Sequence, residues 1–448
     1  MKFTKLGKAL LMIALSAGVV LGITSCIQSY SVGFLYVTGT STAQSTGNGI
    51  ISGFKIDHNT GNLTPIAGLP ISSGGANPGR AVLIGGGRFL YVLNQGVNAE
   101  GGTDCTAADP CQNANITQFA IGGNGILSPQ QTFYTQGINP FRLLANSQGN
   151  FIYVLDHDSP SSATCALALG NSVTSCADIT VFQVDSTTGR LQLVVNAQVT
   201  SASGAPITFF PVPANPIDFV LTSGYVFTLS GDPKIANSDT VFPYAYNSGS
   251  GQLTVSQTGS QPLNTTNARA IVFAGGDLYV LDNDPITYTP IGGSAPITSP
   301  SQIIPYTIGS NGSLQAATGG AVPDTVSQSN PIYMVEEQKG KWVYLMNQGD
   351  NTNTTNTQSG IAGYVIDPAQ HTLSEVPGSP FGTGAGPACM VEDPSNQFIY
   401  TANFNDSTVT GRLIDQNSGV LDNLKGNANR NFPLNGPAAW CLVTGRTS

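Results

Sequence analysis

The residues best suited to chemistry in this sequence are grouped around one histidine. His157 stands between Asp156 and Asp158, and Arg142 precedes them in the chain. Hydrolysis at a carbonyl needs a general base that activates water and a group that stabilises the developing oxyanion. Asp156, His157 and Asp158, together with Arg142, could supply both and are candidate catalytic residues. The two flanking carboxylates favour a protonated imidazole, which suits anion recognition; the alternative is a solvated histidine in a polar loop.

A second candidate set occupies one position of a repeated segment that is described below. Three residues after the start of the last strand of each copy, the sequence places Arg80, Arg142, Asp218, Ala270, Tyr333, Cys389 and Ala439. If these side chains point into a central channel, Arg80 and Arg142 face Asp218 and Tyr333 and form a binding pocket for a small anionic ligand. The alternative is a set of buried ion pairs that hold neighbouring repeats together.

Polar residues also end another strand of the repeat at a single register: Asn94, Asp156, Asp282, Asn347 and Asn403. They could form a polar, cation-attracting mouth. The alternative is that each side chain bonds its own backbone and starts a turn. Oxygen ligands of this kind suit calcium, but no dense acidic loop demands it, so we predict no metal and no cofactor.

The elements that must position these residues belong to a unit that recurs seven times along the chain. Each copy contains an aromatic and aliphatic strand, an alternating strand, and a strand that opens with Leu after a turn. A final apolar segment begins with Asn or Gly, usually followed by Pro. This pattern predicts an all-β fold, a seven-bladed β-propeller of four-stranded antiparallel blades. Because the chain enters at a second strand (Phe34) and leaves with a lone first strand (Ala438 to Thr444), the C-terminal strand should complete the first blade.

An aromatic residue lies at the centre of the second strand in every copy. An identical register in all copies predicts packing between blades rather than stacking on a ligand. These residues are Tyr36, Tyr91, Tyr153, Phe227, Tyr279, Tyr344 and Tyr400.

The strand runs Tyr91-Val92-Leu93-Asn94 and Tyr400-Thr401-Ala402-Asn403 resemble the YVTN-type propeller repeat, and Asp57 to Leu63 carries the accompanying Asp, Thr-Gly, Leu pattern. Over residues 34–448 the chain resembles the bacterial lactonase family that includes the propeller-type 6-phosphogluconolactonase. The resemblance implies a lactone hydrolase with His and Arg on its inner strands and an acidic residue on a neighbouring loop.

The match to the family's catalytic set is incomplete. Arg269 matches the family's Arg and is a candidate catalytic residue on that basis. Ala270 stands where a His would follow it, and Asn283 stands where a Glu is expected. A lactone hydrolase of this sequence would therefore need a relocated active site.

The N-terminus carries the features of a secretion signal. Three lysines precede an apolar run over residues 9–23, which is too short to span a bilayer as a helix. The residues Ile23-Thr24-Ser25-Cys26 resemble a bacterial lipobox, so Cys26 should be lipidated; the alternative is an ordinary cleavage site with an incidental cysteine. Ile27, rather than Asp, follows the cysteine and favours the outer membrane.

These features divide the chain into three parts. Residues 1–25 are predicted to be a signal peptide, 26–33 a lipid-anchored tether and 34–448 the propeller. Removing three of the 16 Lys and Arg with the signal leaves 13 against 25 Asp and Glu. A chain this acidic, without clustered basic residues, is not expected to bind nucleic acid. We expect a monomer whose membrane contact is made by the lipid anchor alone.

The six remaining cysteines point to an oxidising compartment. Cys105 and Cys111 form one close pair and Cys165 and Cys176 another, and both pairs are predicted to be disulfides that staple loops. The spacing of Cys105 and Cys111 matches no zinc pattern. A third bond, between Cys389 and Cys441, is left open because its geometry cannot be judged from the sequence.

Long insertions join strands or blades at what should be one face of the ring: Gly96 to Asn115, Asp156 to Asp178, Thr200 to Ala214, Asn283 to Ser301 and Gln348 to Gly360. Elaborated loops on one face predict a recognition surface, and the alternative is drift in unselected loops.

Our leading hypothesis is a binding or scaffold module of the cell envelope that takes an anionic or sugar-like ligand, or a protein partner, on this face. A lactone hydrolase is the rival. A quinoprotein-type redox propeller ranks third, since only Trp342 and Trp440 could serve its Trp repeats.

Overall fold

The computed structural model describes residues 30–42, 48–232, 234–235, 237–256, 259–263, 265–290, 293–349, 358–426 and 431–445. Within them, strands form seven antiparallel sheets of four or five strands and one separate two-stranded hairpin, and the innermost strands of the seven larger sheets contact one another around a closed ring. The prediction of an all-β, seven-bladed propeller is confirmed. Cys26 and the predicted signal peptide lie outside the described residues.

The first four blades are built from consecutive strands. Blade 1 contains β1 (Ser31–Thr40), β2 (Asn48–Asp57), β3 (Leu63–Pro65) and β4 (Ile71–Ala76); blade 2 contains β5 (Pro78–Ile84), β6 (Phe89–Asn94), β7 (Asn115–Ile121) and β8 (Leu127–Phe133). Blade 3 contains β9 (Ile138–Ala145), β10 (Phe151–Asp158), β11 (Cys176–Val184), β12 (Leu191–Leu193) and β13 (Phe209–Pro213), with helix α1 (Ser162–Leu169) before β11. Blade 4 contains β14 (Pro216–Leu221), β15 (Tyr225–Ser230), β16 (Thr240–Tyr246), β17 (Leu253–Val255) and β18 (Gln261–Pro262).

The remaining strands complete the ring. Blade 5 contains β19 (Ala268–Ala274), β20 (Asp277–Asp282), the separate hairpin β21 (Ile286–Tyr288) and β22 (Ile297–Ser299), then β23 (Gln302–Ile308), β24 (Leu314–Ala316) and β25 (Val322–Pro323), with a 3-10 turn over Ser310–Gly312. Blade 6 contains β26 (Pro331–Glu336), β27 (Trp342–Asn347), β28 (Gly360–Asp367) and β29 (Thr372–Glu375). Blade 7 contains β30 (Pro387–Glu392), β31 (Phe398–Asn403), β32 (Thr408–Ile414), β33 (Leu421–Asn423) and β34 (Asn431–Pro433), and β35 (Ala438–Gly445) follows.

The ring is closed by the last strand, as the sequence predicts. β35 pairs antiparallel with β1, so that both ends of the propeller share blade 1. A disulfide between Cys389 on β30 and Cys441 on β35 ties blade 7 to this closing strand. The predicted disulfides Cys105–Cys111 and Cys165–Cys176 are also formed, and the second anchors α1 to the start of β11.

The central aromatic residues of the second strands pack between blades, which confirms the prediction. All seven are at most 1% exposed: Tyr36, Tyr91, Tyr153, Phe227, Tyr279, Tyr344 and Tyr400. Four tyrosines also donate a hydrogen bond to a turn glycine in the next blade; Tyr36 bonds the Gly125 carbonyl at 2.8 Å and Tyr344 bonds the Gly419 carbonyl at 2.9 Å. The tyrosine and the glycine of the repeat therefore form one contact between neighbouring blades.

The turn glycine is required by both its backbone and its surroundings. Gly419 has a φ of 75°, in the left-handed region, and a Cβ there would lie 2.6 Å from Trp342. Blade 6 places His371 at this position with a φ of 53°, and its Nδ1 lies 2.9 Å from an oxygen of Asp277 in blade 5. In that blade a contact between a histidine ring nitrogen and a carboxylate links the neighbours.

Within the described residues, no helix has the length and apolar character needed to cross a bilayer.

Candidate functional site

The inner strand of every blade carries a one-residue β-bulge near its start. In blade 3, Pro140 pairs with Asp156 and Arg142 pairs with Leu155, which leaves Phe141 as the extra residue. A bulge re-aims a side chain away from the regular alternation of the strand. The seven bulged residues are Gly79, Phe141, Ile217, Arg269, Ile332, Ala388 and Ala439.

The sequence explains most of these bulges. An Asn or Gly with positive φ precedes the inner strand in five blades: Asn77, Asn139, Asn215, Asn330 and Gly386. Asparagine and glycine tolerate the left-handed region better than other residues do. Each is followed by a proline. This pair turns the chain sharply into the ring before the bulge.

The bulged residues line one cavity of about 550 Å³ at the face where inner strands begin and second strands end. We call this face the upper face and this cavity the mouth cavity. It is also lined by Arg80, Arg142 and Trp440 on the inner strands, and by Gln95, Gln348 and Phe404 directly after second strands. The insertions of the chain emerge at this same face.

The predicted channel-facing set needs one correction. Because the bulge of β35 falls at Ala439, it is Trp440, not Ala439, that pairs with Thr38 and takes the equivalent position in blade 1. In blade 1 the Gly436-Pro437 dipeptide therefore lies one residue earlier, relative to the bulge, than the equivalent dipeptide of the other blades. Arg80 lies over the ring of Trp440, with its Cζ 3.8 Å from the ring centroid.

Four predicted ligand-binding residues do converge near the axis of the ring. Arg142 Nε lies 3.1 Å from Asp218 Oδ1 in the next blade, and Arg80 Cζ lies 5.5 Å from the ring centroid of Tyr333. Asp218 Oδ2 also accepts the Ile271 backbone N–H at 3.3 Å. Of the four, Arg80 and Arg142 line the mouth cavity. The ion pair that the sequence offered as one alternative is present, and the cavity beside it takes only two of the four residues in its lining.

The electrostatics of the mouth cavity are dominated by arginine. Burial lowers the pKa of the Arg80 guanidinium to about 10, which leaves it protonated at neutral pH. Arg269 is exposed and has no ion pair among the described residues. No Asp, Glu or His is present in the described lining of the cavity.

His157 lies at the edge of the cavity rather than inside it. It follows Asp156 as Gln95 follows Asn94, so it occupies the rim position of blade 3, and its ring stacks on Phe141 with centroids 3.8 Å apart. The expectation of a protonated imidazole is wrong: desolvation lowers the pKa of His157 and outweighs the opposing effect of Asp158. The surroundings of His157 therefore disfavour its protonated form, even though its side chain is exposed.

The candidate catalytic residues do not form one group. Asp156 is completely buried on the opposite side of β10 from His157, and Asp158 accepts a hydrogen bond from the Asn139 side chain at 3.2 Å. Arg269 lines the cavity. No hydrogen bond or ion pair between described residues joins Arg269 to the other three.

The strand-end polar residues form neither an open mouth nor simple turns. Asn94, Asp156, Asp282, Asn347 and Asn403 are all 0% exposed. Asn94 Nδ2 donates to Asn115 and Thr117 on the next strand, and Asn403 Nδ2 donates to Thr408 and Thr410 in the same way. These side chains hold neighbouring strands together beneath the upper face, and both expectations for them are wrong.

In the sequence, the rim could have been located from the residue that directly follows the buried polar residue at the end of each second strand. Gln95 Oε1 accepts a hydrogen bond from Asn77 Nδ2 at 3.1 Å, and Gln348 Oε1 accepts one from Asn330 Nδ2 at 3.1 Å. Asn283, where the family has Glu, accepts the Asn330 backbone N–H at 3.2 Å. Amides thus occupy three of the seven rim positions, and the other four are Thr40, His157, Gly231 and Phe404.

The stapled loops contact this rim. Cys111, in the first disulfide loop, donates its backbone N–H to Asn139 Oδ1 at 2.8 Å. Asn139 precedes the bulge of blade 3, so the disulfide loop supports the segment that carries Phe141. In the described part of the chain, no group of three or more His, Cys, Asp or Glu residues could hold a metal ion.

Comparison with known proteins agrees with this architecture. Residues 298–436 match the family model described as Lactonase, 7-bladed beta-propeller. The periplasmic gluconolactonase of Pseudomonas aeruginosa has a similar structure, with a TM-score of 0.61 and 16% identity over 93% of this chain and 99% of that one. A candidate 6-phosphogluconolactonase from Bacteroides fragilis gives a TM-score of 0.61 and 17% identity over 92% and 98% of the two chains. At these identities the two structures establish the fold alone. No curated protein matches the chain in sequence at a significant level.

The fold defines the class: the protein is a seven-bladed β-propeller. The match of residues 298–436 to the lactonase family model and the similar structures confirm the resemblance drawn from its YVTN-type strands.

Proposed function

We propose that the protein is a binding module whose mouth cavity takes a small anionic, sugar-like ligand. The observation that carries the proposal is that Arg80, Arg142 and Arg269 line one cavity whose described lining contains no acidic side chain. The whole chain has a formal net charge of −9, so this arrangement concentrates positive potential at a single site on an acidic protein.

The size and the neutral groups of the cavity fit such a ligand. Its volume of about 550 Å³ lies within the range of small-molecule sites, which is roughly 300–1,000 Å³. Gln95 and Gln348 can hydrogen-bond hydroxyl groups, while Trp440 and Phe404 offer apolar faces to a sugar ring. Carboxylate or phosphate would engage the arginines through paired hydrogen bonds.

Lactone hydrolysis is the second candidate function, and His157 is the observation that favours it. A neutral imidazole at the cavity edge can act as a general base, and Arg142 is close enough to influence its pKa. The similar structures named as gluconolactonases support a sugar lactone as the substrate. We rank this function second because the described lining of the cavity lacks a base, and because Ala270 and Asn283 stand where the resemblance to the lactonase family implies His and Glu.

One experiment separates these functions. The purified propeller, residues 30–448, would be assayed for hydrolysis of gluconolactone and titrated with gluconate and 6-phosphogluconate in a calorimeter. We expect binding of the acids without turnover of the lactone above the spontaneous rate. If the wild type hydrolyses the lactone, and His157→Gln loses this activity but still binds the acids, the hydrolase function is favoured over the binding module. The proposal would be contradicted if neither acid binds. It would also be contradicted if the acids bind equally well after Arg80 is substituted.

We also propose an envelope location, with Cys26 as a lipid anchor and the stapled upper face as the surface available to a protein partner. Support comes from the signal-like N-terminus and from the disulfides, which need an oxidising compartment. Metabolic labelling with a fatty-acid analogue should mark the wild-type protein and not Cys26→Ala. Equal labelling of both would remove the anchor from the proposal.

A further inference from the structure

Blade 3 contains two carboxylates that face each other in a fully buried position. Asp156 on β10 pairs directly with Asp178 on β11, and both are 0% exposed. The Thr180 hydroxyl lies 3.2 Å from Asp156 Oδ2 and 3.5 Å from Asp178 Oδ1, so a single proton serves both. Asp156 Oδ1 and Asp178 Oδ2 make no hydrogen bond of ordinary geometry in the described structure, and the nearby Thr135 hydroxyl and Gly137 N–H only partly offset the effect of burial on the pKa of Asp156.

Blade 2 provides a matched arrangement with amides in place of acids. Asn94 pairs with Asn115 at the same register, and Thr117 stands where blade 3 has Thr180. Asn94 Nδ2 donates to Asn115 Oδ1 at 3.0 Å and to the Ser73 carbonyl at 3.0 Å. The amides supply the donors that two ionised carboxylates lack.

Among the described residues, no cationic side chain pairs with either acid. Asp158 on the same strand raises the pKa of Asp178 further, and Tyr244 from blade 4 donates its hydroxyl to the Pro211 carbonyl. Arg142 on β9 is committed to Asp218. Two buried carboxylates without a cation cannot both stay ionised at low cost.

We propose that Asp156 and Asp178 form a proton-binding site that holds one shared proton at neutral pH and loosens the rim of blade 3 when that proton is lost. The proton supplies the missing donor between the two side chains. The pair is packed against Gly137, where a Cβ would lie 2.3 Å from Asp178 Oδ2, so repulsion between two charges is transmitted to the segment that leads into β9. His157 follows Asp156 directly, so the rim of the mouth cavity moves with the pair. This inference does not depend on what the cavity binds.

The direction of the pH effect follows from burial. Burial raises the pKa of both carboxyls above their ordinary range. The folded protein then retains a proton that the unfolded chain releases above about pH 4, so the free energy of unfolding falls as pH rises through the neutral range. The contribution is largest in acid and is lost in alkali.

The test replaces the acid pair of blade 3 by amides and the amide pair of blade 2 by acids. The double variant Asp156→Asn with Asp178→Asn should melt at least about 3 °C above the wild type at about pH 9 and close to it at about pH 5. The converse variant, Asn94→Asp with Asn115→Asp, should acquire a new loss of stability in alkali. Asp422→Asn, an exposed carboxylate on β33, is the control and should change neither melting curve.

Infrared difference spectra between the wild type and the Asp156→Asn, Asp178→Asn variant provide a readout independent of folding stability. We expect a protonated-carboxyl band at neutral pH in the wild type that is missing from the variant. Absence of that band, or parallel pH profiles for wild type and variant, would overturn the proposal. A wild-type melting temperature that responds to calcium or to a chelator, with no response in the variant, would overturn it in favour of a cation.

Discussion

The two ends of the inner strands use polar side chains in opposite ways. At the upper face, a bulge in each strand opens the mouth cavity, and Arg80, Arg142 and Arg269 point to it. At the other end, β26 and β30 finish in Glu336 and Glu392, directly followed by Glu337 and Asp393. The inner strands thus direct arginines to the upper end, and those of blades 6 and 7 finish in acids at the lower end.

The acids at the lower end are occupied by the fold itself. Asp393 Oδ1 accepts the backbone N–H groups of Gln397 and Phe398 at 2.9 and 2.7 Å, and Glu337 accepts a hydrogen bond from Asn396. A tight hairpin joins first and second strands there, so backbone donors require acceptors. At the upper face long loops replace the hairpins, and the arginines are not needed to complete turns. This difference is the reason that we propose the upper face as the functional one.

The largest expected effect comes from removing charge at the mouth cavity. Arg80→Gln combined with Arg269→Gln should weaken binding of gluconate or 6-phosphogluconate about 100-fold, since each hydrogen bond to a charged group contributes roughly 1.5–3 kcal/mol. Calorimetric titration measures the change. Arg88→Gln, an exposed arginine at the other end of the same blade, should bind as the wild type does; an equal loss in both variants would contradict a local site.

The next effect concerns the ion pair beneath the cavity. Asp218→Asn removes the partner of Arg142 and weakens the acceptor of the Ile271 N–H, so we expect a loss of about 1–3 kcal/mol in the free energy of unfolding. Arg142 is at the same time released toward the ligand, so affinity for the anion should rise. Denaturant unfolding and titration of one sample measure both; a fall in affinity would show that Asp218, rather than Arg142, serves the ligand.

A smaller effect is expected midway between the two ends, at the contacts between blades. Tyr344→Phe removes the hydroxyl that donates to the Gly419 carbonyl and should cost about 1 kcal/mol of stability. Phe227 shows that a blade tolerates this position without a hydroxyl. Denaturant unfolding checks the value, and anion binding should be unchanged. Weaker binding in this variant would mean that the mouth cavity is sensitive to packing throughout the ring.

The smallest effect is expected at the lower end. Burial raises the pKa of Glu392 to about 8, far above the ordinary value near 4.5. The folded state therefore holds a proton that the unfolded state releases, and stability falls as pH rises from about 4.5 to about 8. Because Glu392 is only partly buried, solvent screening keeps the effect small: Glu392→Gln should melt slightly higher than the wild type at about pH 9 and equally at about pH 5, with unchanged anion binding. A variant that melts lower at both values would assign Glu392 a structural role as an anion.

The fold could be predicted almost completely because repetition reports it directly. The second-strand aromatics and the turn glycines recur at a fixed register. The strand from Ala438 is left without a blade of its own once the strands of each repeat are counted, so its pairing with β1 follows. The bond between Cys389 and Cys441 could not be decided, because it depends on the distance between neighbouring blades rather than on spacing in the chain.

The site could be predicted only in part, because bulges and burial are set in three dimensions. Arg80 and Arg142 were expected at the channel and line the mouth cavity, whereas Trp440 was missed by one residue because the bulge of β35 is invisible in the sequence. The protonation of His157 was predicted from its two neighbours, but desolvation outweighs them. Asp156 looked like a catalytic carboxylate until strand pairing placed it opposite Asp178.

The most direct test of the account is a crystal structure of the propeller with 6-phosphogluconate at a concentration that saturates binding in solution. The account predicts the ligand in the mouth cavity, with its carboxylate or phosphate within hydrogen-bond distance of at least two of Arg80, Arg142 and Arg269. A ligand bound at the outer loops or at the acidic lower end, with an empty mouth cavity, would contradict it.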